Sequence, residues 1–343
     1  MNTTTYPELH GKRYHIITFG CQMNESDTER MEAILSDAGM RACARVEEAD
    51  LVLLNTCSVR QKPEDRAYGH LGRLKPLRAR RPGMVVGVCG CMAQHQGEEI
   101  RRRAPFVDLV LGTAQLHRLP ELLAEIWRTG RAQTALEMPR TRSHPVRQAE
   151  EDLLAGIARG GNPFKAWVPV MYGCDKFCAF CVVPLTRGPE RSRRLEEIEA
   201  QVRAAAASGR KEVTLLGQTV SSYGRKLPTP TTLVHLLRRL NDIEGIERIR
   251  FTSPYPMDFG EDLIEAIATL PKVCEHVHLP LQSGDDEVLA AMGRGYTVAQ
   301  FEEVYWRLRE RVPGISITTD LMVGHPGETE EQHRNHLQVV ERL

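Results

Sequence analysis

The sequence lacks an excess of charge of either sign, since its 343 residues contain 45 lysines and arginines and 45 aspartates and glutamates. A uniformly basic surface is therefore excluded, and contact with RNA would depend on local basic patches. No run of 18 apolar residues is present, and the first 14 residues lack the apolar core of a signal peptide. We therefore expect a globular protein of the cytoplasm that has no contact with a membrane.

Nine cysteines are present, and three of them lie close together as Cys174, Cys178 and Cys181, with the spacing C-x3-C-x2-C. Three thiolates in one loop are able to bind three irons of a 4Fe–4S cluster and to leave the fourth iron open. The aromatic residues Phe177 and Phe180 within the loop also suit a cluster that must be shielded from water. This spacing therefore favours an open-iron cluster.

Zinc, a disulfide and coincidence are the alternatives for this loop. Structural zinc requires a fourth ligand, but the sequence has no cysteine between Cys91 and Cys174 and no histidine between His144 and His235. A disulfide would leave one thiol unpaired and requires an oxidising compartment, for which there is no export signal. Coincidental spacing among nine cysteines is the remaining alternative.

Strands and helices alternate in the first part of the chain, which predicts a parallel sheet with right-handed crossovers. The predicted strands are residues 15–20, 50–55, 84–88 and 107–111. Cys21, Cys57 and Cys91 each follow the carboxyl end of a strand. Because ligands bind at this edge of open α/β sheets, we expect the three thiols to converge on one site. Each of them alone would be interpreted as a buried free cysteine.

Three further cysteines are predicted to pack in the core. Cys89 lies two residues before Cys91 and is an alternative ligand, but its place within a strand favours packing. Cys43 and Cys274 lie in apolar, strand-like contexts.

A second alternation of strands and helices starts near residue 166, after a segment rich in proline and glycine. Its predicted strands are residues 167–172, 212–216, 248–252, 275–279 and 315–322. Five such repeats predict a partial (β/α) barrel whose site lies at the carboxyl ends of its strands. The predicted domains are therefore residues 1–135 and 166–343, joined by a linker at 136–165.

These motifs resemble the radical S-adenosylmethionine (SAM) methylthiotransferase family. The resemblance lies in residues 171–188 (MYGCDKFCAFCVVPLTRG), 20–24 (GCQMN), 55–57 (NTC) and 90–93 (GCMA). It implies an α/β protein with an N-terminal open, flavodoxin-like parallel sheet, followed by a partial (β/α) barrel. It also implies two 4Fe–4S clusters, one on Cys174, Cys178 and Cys181, and an auxiliary one on Cys21, Cys57 and Cys91.

The resemblance extends to SAM and to the reaction. Residues 217–218 resemble the element that receives the amino group of SAM, and residues 324–328 (GHPGE) resemble the element beside its adenine. The implied cofactor-binding residues are Gly217, Gln218, Ser253, Gln282, Gly324 and Glu328. Cleavage of SAM would yield a 5′-deoxyadenosyl radical that takes hydrogen from carbon 2 of an adenine. Sulfur would then come through the auxiliary cluster, and its methyl group from a second SAM.

Within the family, residues 217–224 (GQTVSSYG) and 174–178 (CDKFC) resemble the branch that modifies N6-isopentenyladenosine next to the tRNA anticodon. Thr219 and Ser221 depart from this branch, which usually has asparagine there. Alternative substrates are N6-threonylcarbamoyladenosine of tRNA and an aspartate of a ribosomal protein. The expected partners of a monomeric enzyme are the anticodon stem-loop of tRNA and an electron donor such as flavodoxin or ferredoxin.

Two other classes of protein are alternatives to this enzyme. An iron–sulfur protein that transfers electrons or senses redox state needs neither an open iron nor glycines at strand ends. A zinc-bearing RNA-binding module would contain zinc in place of iron and sulfide.

Local basic clusters are candidates for contact with tRNA phosphates. The predicted RNA-binding residues, beside the cysteine loop, are Arg187, Arg191, Arg193 and Arg194. A second cluster is residues 73–81, and a solvated charged face is the alternative for both. The chain also ends before a sixth barrel strand and before the small RNA-binding TRAM domain that the family usually has. We therefore expect the sequence to be part of a longer protein.

Overall fold

A computed structural model describes residues 6–59, 61–138 and 161–343. The chain divides into two compact units. The first comprises Met1–Asn162 with Val182–Pro189, and the second comprises Pro163–Cys181 with Glu190–Leu343. The predicted linker at 136–165 falls mostly outside the described residues, so the domain bounds stay predictions. The place of Val182–Pro189 in the first unit was not expected from the sequence.

The described part of the first unit contains a six-stranded parallel sheet. Its strands are β1 (Arg13–Thr18), β2 (Arg41–Ala42), β3 (Leu51–Thr56), β4 (Val85–Gly90), β5 (Leu109–Leu111) and β6 (Gln133–Ala135). Their spatial order is β2-β1-β3-β4-β5-β6, and the first five follow the 2-1-3-4-5 order of flavodoxin-like sheets. The predicted open parallel sheet is therefore confirmed, with two short strands added.

Helices cover this sheet and explain the composition of its central strands. They are α1 (Gln22–Asp37), α2 (Gln61–Arg80), α3 (Cys91–Arg103), α4 (Leu119–Thr129) and the short α5 (Val183–Arg187). Every residue of β3 and β4 is buried, as expected for parallel strands covered on both faces. One core cluster contains Leu35 and Leu123, and the other contains Leu71, Met92 and Ile100.

The second unit is built on parallel strands that follow one another around a partial barrel. Its strands are β7 (Lys165–Pro169), β8 (Met171–Tyr172), β9 (Arg191–Ser192), β10 (Glu212–Leu216), β11 (Arg248–Phe251), β12 (His276–His278) and β13 (Ser316–Thr318). β7, β10 and β11 form one parallel sheet, and β12 pairs with β13 in parallel. A parallel bridge connects Ile249 in β11 to Val273, which lies just before β12. The predicted partial barrel is confirmed.

The helices of the second unit alternate with its parallel strands in the sequence, and the last helix follows the last strand. They are α6 (Leu195–Ala207), α7 (Leu233–Asn241), α8 (Glu261–Thr269), α9 (Asp286–Ala291), α10 (Val298–Arg311) and α11 (Glu330–Arg342). Thr297 and Thr329 begin α10 and α11 with capping boxes, in which the threonine and a glutamine three residues later bond each other's backbone. In the described part of the chain, no helix is long and apolar enough to span a membrane.

The strand predicted at 167–172 is divided in the structure. Its first part is β7, whereas β8 turns away to pair with β9 in an antiparallel hairpin. The register joins Met171 to Ser192 and Tyr172 to Arg191. This hairpin was missed because strands of two residues carry no readable pattern. The hairpin brings together the two ends of residues 173–190, the segment that contains the cysteine loop.

Candidate cofactor sites

Cys21, Cys57 and Cys91 lie side by side at one edge of the sheet of the first unit. Cys21 is the N-cap of α1, Cys57 directly follows β3, and Cys91 directly follows β4 and begins α3. Because β1, β3 and β4 are neighbours in a parallel sheet, their carboxyl ends meet. The predicted convergence of the three cysteines is confirmed, and their role as cluster ligands stays a prediction.

Two glycines at these strand ends allow the close approach of the backbone. Gly20 has a φ of +102°, and a Cβ there would lie 2.4 Å from Cβ and 2.8 Å from Sγ of Cys57. Gly90 has a φ of +90°, and a Cβ there would lie 2.4 Å from the carbonyl oxygen of Thr56. Only glycine satisfies both the positive φ and the lack of space. The backbone is therefore closely packed at the positions that directly precede Cys21 and Cys91.

Burial and mutual charge both affect the thiols of this cysteine trio. Burial raises the pKa of the Cys57 thiol, and negative charge on Cys21 or Cys91 raises it further. Burial likewise raises the pKa of Cys91, against the lowering effect of Arg187. Positive charge placed among such thiols, as irons would do, favours their thiolate form. An auxiliary 4Fe–4S cluster therefore fits the three residues.

No group of three or more His, Cys, Asp or Glu side chains in the described residues has the arrangement of a single-ion site. A 4Fe–4S cluster needs a wider set of ligands, because each cysteine binds a different iron. The lack of a single-ion site in the described residues therefore does not exclude a 4Fe–4S cluster.

The other cysteines of the first unit lie apart from this arrangement. Cys89 is fully buried in the core beside Leu53 and Leu109, and burial raises the pKa of its thiol to about 12. A neutral thiol in an apolar core supports the packing interpretation. Cys43 is only half-buried and donates to the carbonyl oxygens of Tyr14 and Arg45. Cys274, in the second unit, is also half-buried, so neither of these two is a full core residue.

Arg187 does not offer its charge to an RNA phosphate, which corrects the prediction for this residue. It is 5% exposed, and its guanidinium donates to Asp27 Oδ2 at 2.8 Å and to Asn24 Oδ1 at 3.0 Å. Asn24 lies inside α1 and donates to the carbonyl oxygens of Phe19 and Thr56. Arg187 therefore ties α5 to the strand ends that precede Cys21 and Cys57.

Replacing Arg187 by leucine is expected to destabilise the protein by about 3–5 kcal/mol, because Asp27 would remain as a buried charge without its partner. Urea unfolding under anaerobic conditions measures the loss. The double variant Arg187→Leu/Asp27→Leu should recover part of it, since both charges are then absent. A single variant as stable as the wild type would show that the pair contributes nothing.

The cysteine loop of the second unit carries the three thiols at different depths. Cys174 is buried, whereas Cys178 and Cys181 are half-buried. The backbone N–H of Lys176 donates to Cys174 Sγ at 3.3 Å, and that of Cys181 donates to the carbonyl oxygen of Cys178 at 3.0 Å. Burial raises the pKa of Cys174, and charge on the other two cysteines raises it further. The three cysteines are therefore close enough to interact electrostatically, as the ligands of one cluster would be.

The aromatic residues of the loop do not shield it as predicted. Phe177 is 78% exposed and Phe180 is 39% exposed. Alternation along an irregular loop does not determine which side chains point inward, so this part of the prediction was wrong.

A segment after α9 contacts the loop and was missed from the sequence. The N–H of Ala179 donates to the carbonyl oxygen of Met292 at 2.9 Å. A Cβ on Gly293, whose φ is +70°, would lie 3.2 Å from the carbonyl oxygen of Phe177. Arg294 donates to Cys178 Sγ at 3.3 Å. Two glycines flanking an arginine were the available signal in the sequence.

Four of the predicted SAM-binding residues lie at or just after the carboxyl ends of β10, β11 and β12. Gly217 is packed so that a Cβ would lie 2.5 Å from Met171 Cγ. Gln218 Oε1 is buried without a hydrogen-bond partner. Ser253 and Gln282 have φ values of 53° and 73°, which are strained for residues other than glycine. An orphaned acceptor and strained backbone at one rim fit a bound ligand that supplies N–H donors.

Glu328 closes a turn with the predicted residue Gly324. Its Oε2 accepts from the N–H of Gly324 at 2.5 Å and from the N–H of His325 at 3.0 Å. The carboxylate therefore shapes the turn after β13, and any contact of this turn with adenine stays a prediction.

Thr219 and Ser221, the two residues that depart from the family pattern, make hydrogen bonds within the second unit. Thr219 Oγ1 donates to Oε2 of the buried Glu190 at 3.3 Å. Ser221 Oγ donates to Asp258 Oδ2 at 3.1 Å and accepts from the N–H of Tyr255 at 2.8 Å. Both short side chains thus tie the loop after β10 to its neighbours.

Arg193 is likewise excluded as a phosphate contact, since it is 1% exposed. Its guanidinium donates to the carbonyl oxygen of Pro169 at 2.7 Å and to Gln201 Oε1 at 2.6 Å, which fastens the hairpin to β7 and α6. Arg191 is half-buried, and burial lowers its pKa. Arg194, with a side chain 67% exposed, is the residue of the four that remains open to a phosphate.

The second basic cluster, residues 73–81, is partly neutralised. Arg78 pairs with Asp108 at 3.1 Å, and Arg81 pairs with Asp50 at 3.2 Å. These two arginines join α2 and its C-terminal end to the sheet.

Arg194→Gln is expected to weaken RNA binding modestly and to reduce the slope of log K against log salt by about 1, since it removes one phosphate contact. Titration of the anticodon stem-loop at several salt concentrations measures the slope. Arg239→Gln is the matched control, because Arg239 is exposed to a similar degree but lies 2.6 Å from Glu199, whereas Arg194 lies 3.9 Å from Glu197. An unchanged slope for Arg194→Gln would mean that this arginine is only solvated.

Comparison with known proteins gives two family matches and many relatives. Residues 13–112 match the uncharacterized protein family UPF0004, and residues 168–340 match the radical SAM superfamily. Two similar proteins are both named tRNA-2-methylthio-N(6)-dimethylallyladenosine synthase. That of Desulforamulus reducens is 44% identical over 339 residues, covering 97% of this chain and 72% of the relative. That of Moorella thermoacetica is 46% identical over 338 residues, covering 97% and 73%.

Solved structures of low sequence identity share the fold. The radical SAM methyltransferase TsrM from Kitasatospora setae has a TM-score of 0.66 at 17% identity, with 97% of this chain and 73% of TsrM covered. The cobalamin-dependent SAM radical enzyme OxsB also has a TM-score of 0.66, at 13% identity, and the match covers 98% of this chain but only 53% of OxsB. At such identities the likeness concerns the fold alone.

Proposed function

The chain belongs to the radical SAM superfamily and, within it, to the family of the tRNA-2-methylthio-N(6)-dimethylallyladenosine synthases, and from this premise we propose its reaction and substrate. The reaction is the insertion of sulfur at carbon 2 of N6-isopentenyladenosine, next to the tRNA anticodon, and the methylation of that sulfur. The observation that carries the proposal is the presence of two separately built cysteine trios, one in each unit.

The cysteine loop would hold the cluster that binds SAM. When bound, a 4Fe–4S cluster with an open iron supplies the electron that cleaves SAM. Cys174, Cys178 and Cys181 provide its three thiolates. Gln218 would accept from the amino group of SAM, and the strained backbone at Ser253 and Gln282 would place polar groups at the same rim.

Cys21, Cys57 and Cys91 would hold the auxiliary cluster through which sulfur is delivered. Gly20 lets the backbone approach Cys57 closely, and the buried pair of Arg187 and Asp27 lies near Cys91. This pair would hold α5 against the strand ends that carry the cysteines.

The substrate and partners are supported by the relatives. Their name specifies an adenosine with a dimethylallyl group, which is the isopentenyl group predicted from residues 217–224. N6-Threonylcarbamoyladenosine and a ribosomal aspartate are therefore the less favoured substrates. The proposed partners are the anticodon stem-loop and a low-potential electron donor such as flavodoxin or ferredoxin. A monomer in the cytoplasm, where tRNA is modified, completes the proposal.

The test combines metal analysis with product analysis after anaerobic reconstitution. About eight irons and eight sulfides per chain, two clusters of four, are expected. Dithionite and SAM should yield 5′-deoxyadenosine, and isopentenylated tRNA should gain a methylthio group detectable by mass spectrometry of its nucleosides. Iron without 5′-deoxyadenosine would instead favour an electron-transfer or redox-sensing protein, and zinc without iron would favour an RNA-binding module.

A further inference from the structure

Arg294 is a charged side chain that reaches a sulfur atom of the cysteine loop. It lies between Gly293 and Gly295 in the segment that joins α9 to α10. Its guanidinium donates to Cys178 Sγ with a nitrogen–sulfur distance of 3.3 Å. The two residues are 116 positions apart in the sequence, so only the fold brings them together.

Two buried tyrosines hold the guanidinium in place. Its carbon lies 5.0 Å from the ring centroids of both Tyr255 and Tyr296, and its Nε donates to the hydroxyl of Tyr296 at 3.0 Å. The Tyr296 hydroxyl donates in turn to the backbone carbonyls of Pro280 and Leu281. The Tyr255 hydroxyl accepts from the N–H of Gly295 at 2.9 Å. The orientation of Arg294 toward the sulfur is therefore set before any cofactor binds.

Anchoring the loop does not require this side chain. The backbone hydrogen bond from Ala179 to Met292 and the close approach of Gly293 to Phe177 already hold the loop against the segment. The hydrogen bond from Arg294 to Cys178 Sγ can therefore serve a role other than holding the loop in place.

We propose that Arg294 is a positioning residue that raises the reduction potential of the cluster on the cysteine loop, through a charged hydrogen bond to the sulfur of Cys178. Hydrogen bonds to ligand sulfurs and nearby charge set the potentials of iron–sulfur clusters. One-electron reduction adds a negative charge to the cluster, and a charged donor stabilises that state more than the oxidised one. This inference rests on the proposed cluster at Cys174, Cys178 and Cys181.

The test measures how much of the open-iron cluster is reduced at a fixed applied potential. The reconstituted full chain is poised near its midpoint with a redox buffer, and the reduced cluster is quantified by electron paramagnetic resonance. All proteins are measured in a Cys57→Ala background, which is expected to lack the auxiliary cluster, because that cluster is also held by three cysteines and would also leave one iron open. Arg294→Met should lower the ratio of reduced to oxidised cluster about tenfold, which for a one-electron couple corresponds to about 59 mV.

Two further variants separate the hydrogen bond from charge and packing. Arg294→Lys keeps the charge but loses the planar, oriented donor, so its ratio should fall between those of the wild type and Arg294→Met. Arg309→Met is the matched control. Arg309 also lies over a tyrosine, Tyr305, and donates to its hydroxyl, but its other bond goes to the carbonyl oxygen of Ile315. Its ratio should equal that of the wild type.

Each outcome separates this inference from the proposed function. A chain with Arg294 intact but without any signal of a reduced cluster would overturn the proposed function itself. A normal signal in Arg294→Met, with the wild-type ratio of reduced to oxidised cluster, would overturn only the role of Arg294. Loss of iron from Arg294→Met and Arg294→Lys alike would also overturn it, because Arg294 would then retain the cluster rather than tune it.

Discussion

Cys178→Ala is expected to abolish the cleavage of SAM, so that 5′-deoxyadenosine formation falls to the background of the assay. A cluster with an open iron needs three thiolates, and a loop with two of them would leave a second iron without a protein ligand. Apart from these three cysteines, the second unit contains one more, Cys274, which lies outside the loop. The measurement is 5′-deoxyadenosine produced with dithionite and SAM after anaerobic reconstitution.

The matched control for this prediction is Cys274→Ala. Cys274 is half-buried like Cys178, but it precedes β12 and has no predicted ligand role. The control should form 5′-deoxyadenosine at the wild-type rate. Retained cleavage in Cys178→Ala would refute the assignment of the loop, and lost cleavage in Cys274→Ala would show that the assay reports stability instead.

Cys57→Ala is expected to separate the two halves of the reaction. Iron content should fall from about eight to about four per chain, because the auxiliary cluster loses one of its three thiolates. Cleavage of SAM should continue, since the cysteine loop is built independently in the second unit. Methylthio-modified nucleoside should disappear from the tRNA, because no sulfur is delivered. Iron analysis, 5′-deoxyadenosine and nucleoside mass spectrometry are measured on the same preparation.

Cys89→Ala is the control for the auxiliary site. Its thiol lies in the same sheet but is enclosed by apolar side chains, so its loss should cost some stability and no iron. Methylthio product from Cys57→Ala would count against the auxiliary site. A loss of iron from Cys89→Ala, with Cys91→Ala unaffected, would instead assign Cys89 as the third ligand.

The sequence alone was sufficient to predict the features that depend on residue spacing and on the order of strands. The spacing of Cys174, Cys178 and Cys181 is by itself enough to predict a cluster-binding loop. Cys21, Cys57 and Cys91 could be placed together because each follows a strand, and parallel strands end at one edge of their sheet. These arguments need only neighbours in the sequence and a rule of topology, so they did not depend on side-chain packing.

Only the tertiary structure decided what the charged residues do. Arg187 and Arg193 look like surface residues in the sequence, because nothing near them in the chain shows that they are buried. The partner of Arg187 is Asp27, 160 positions away, and the sulfur that Arg294 contacts is 116 positions away. A sequence does not show whether a charged side chain is surrounded by water or paired with a buried carboxylate. Its role is set by the free energy of burial and pairing, which depends on groups that folding alone brings together.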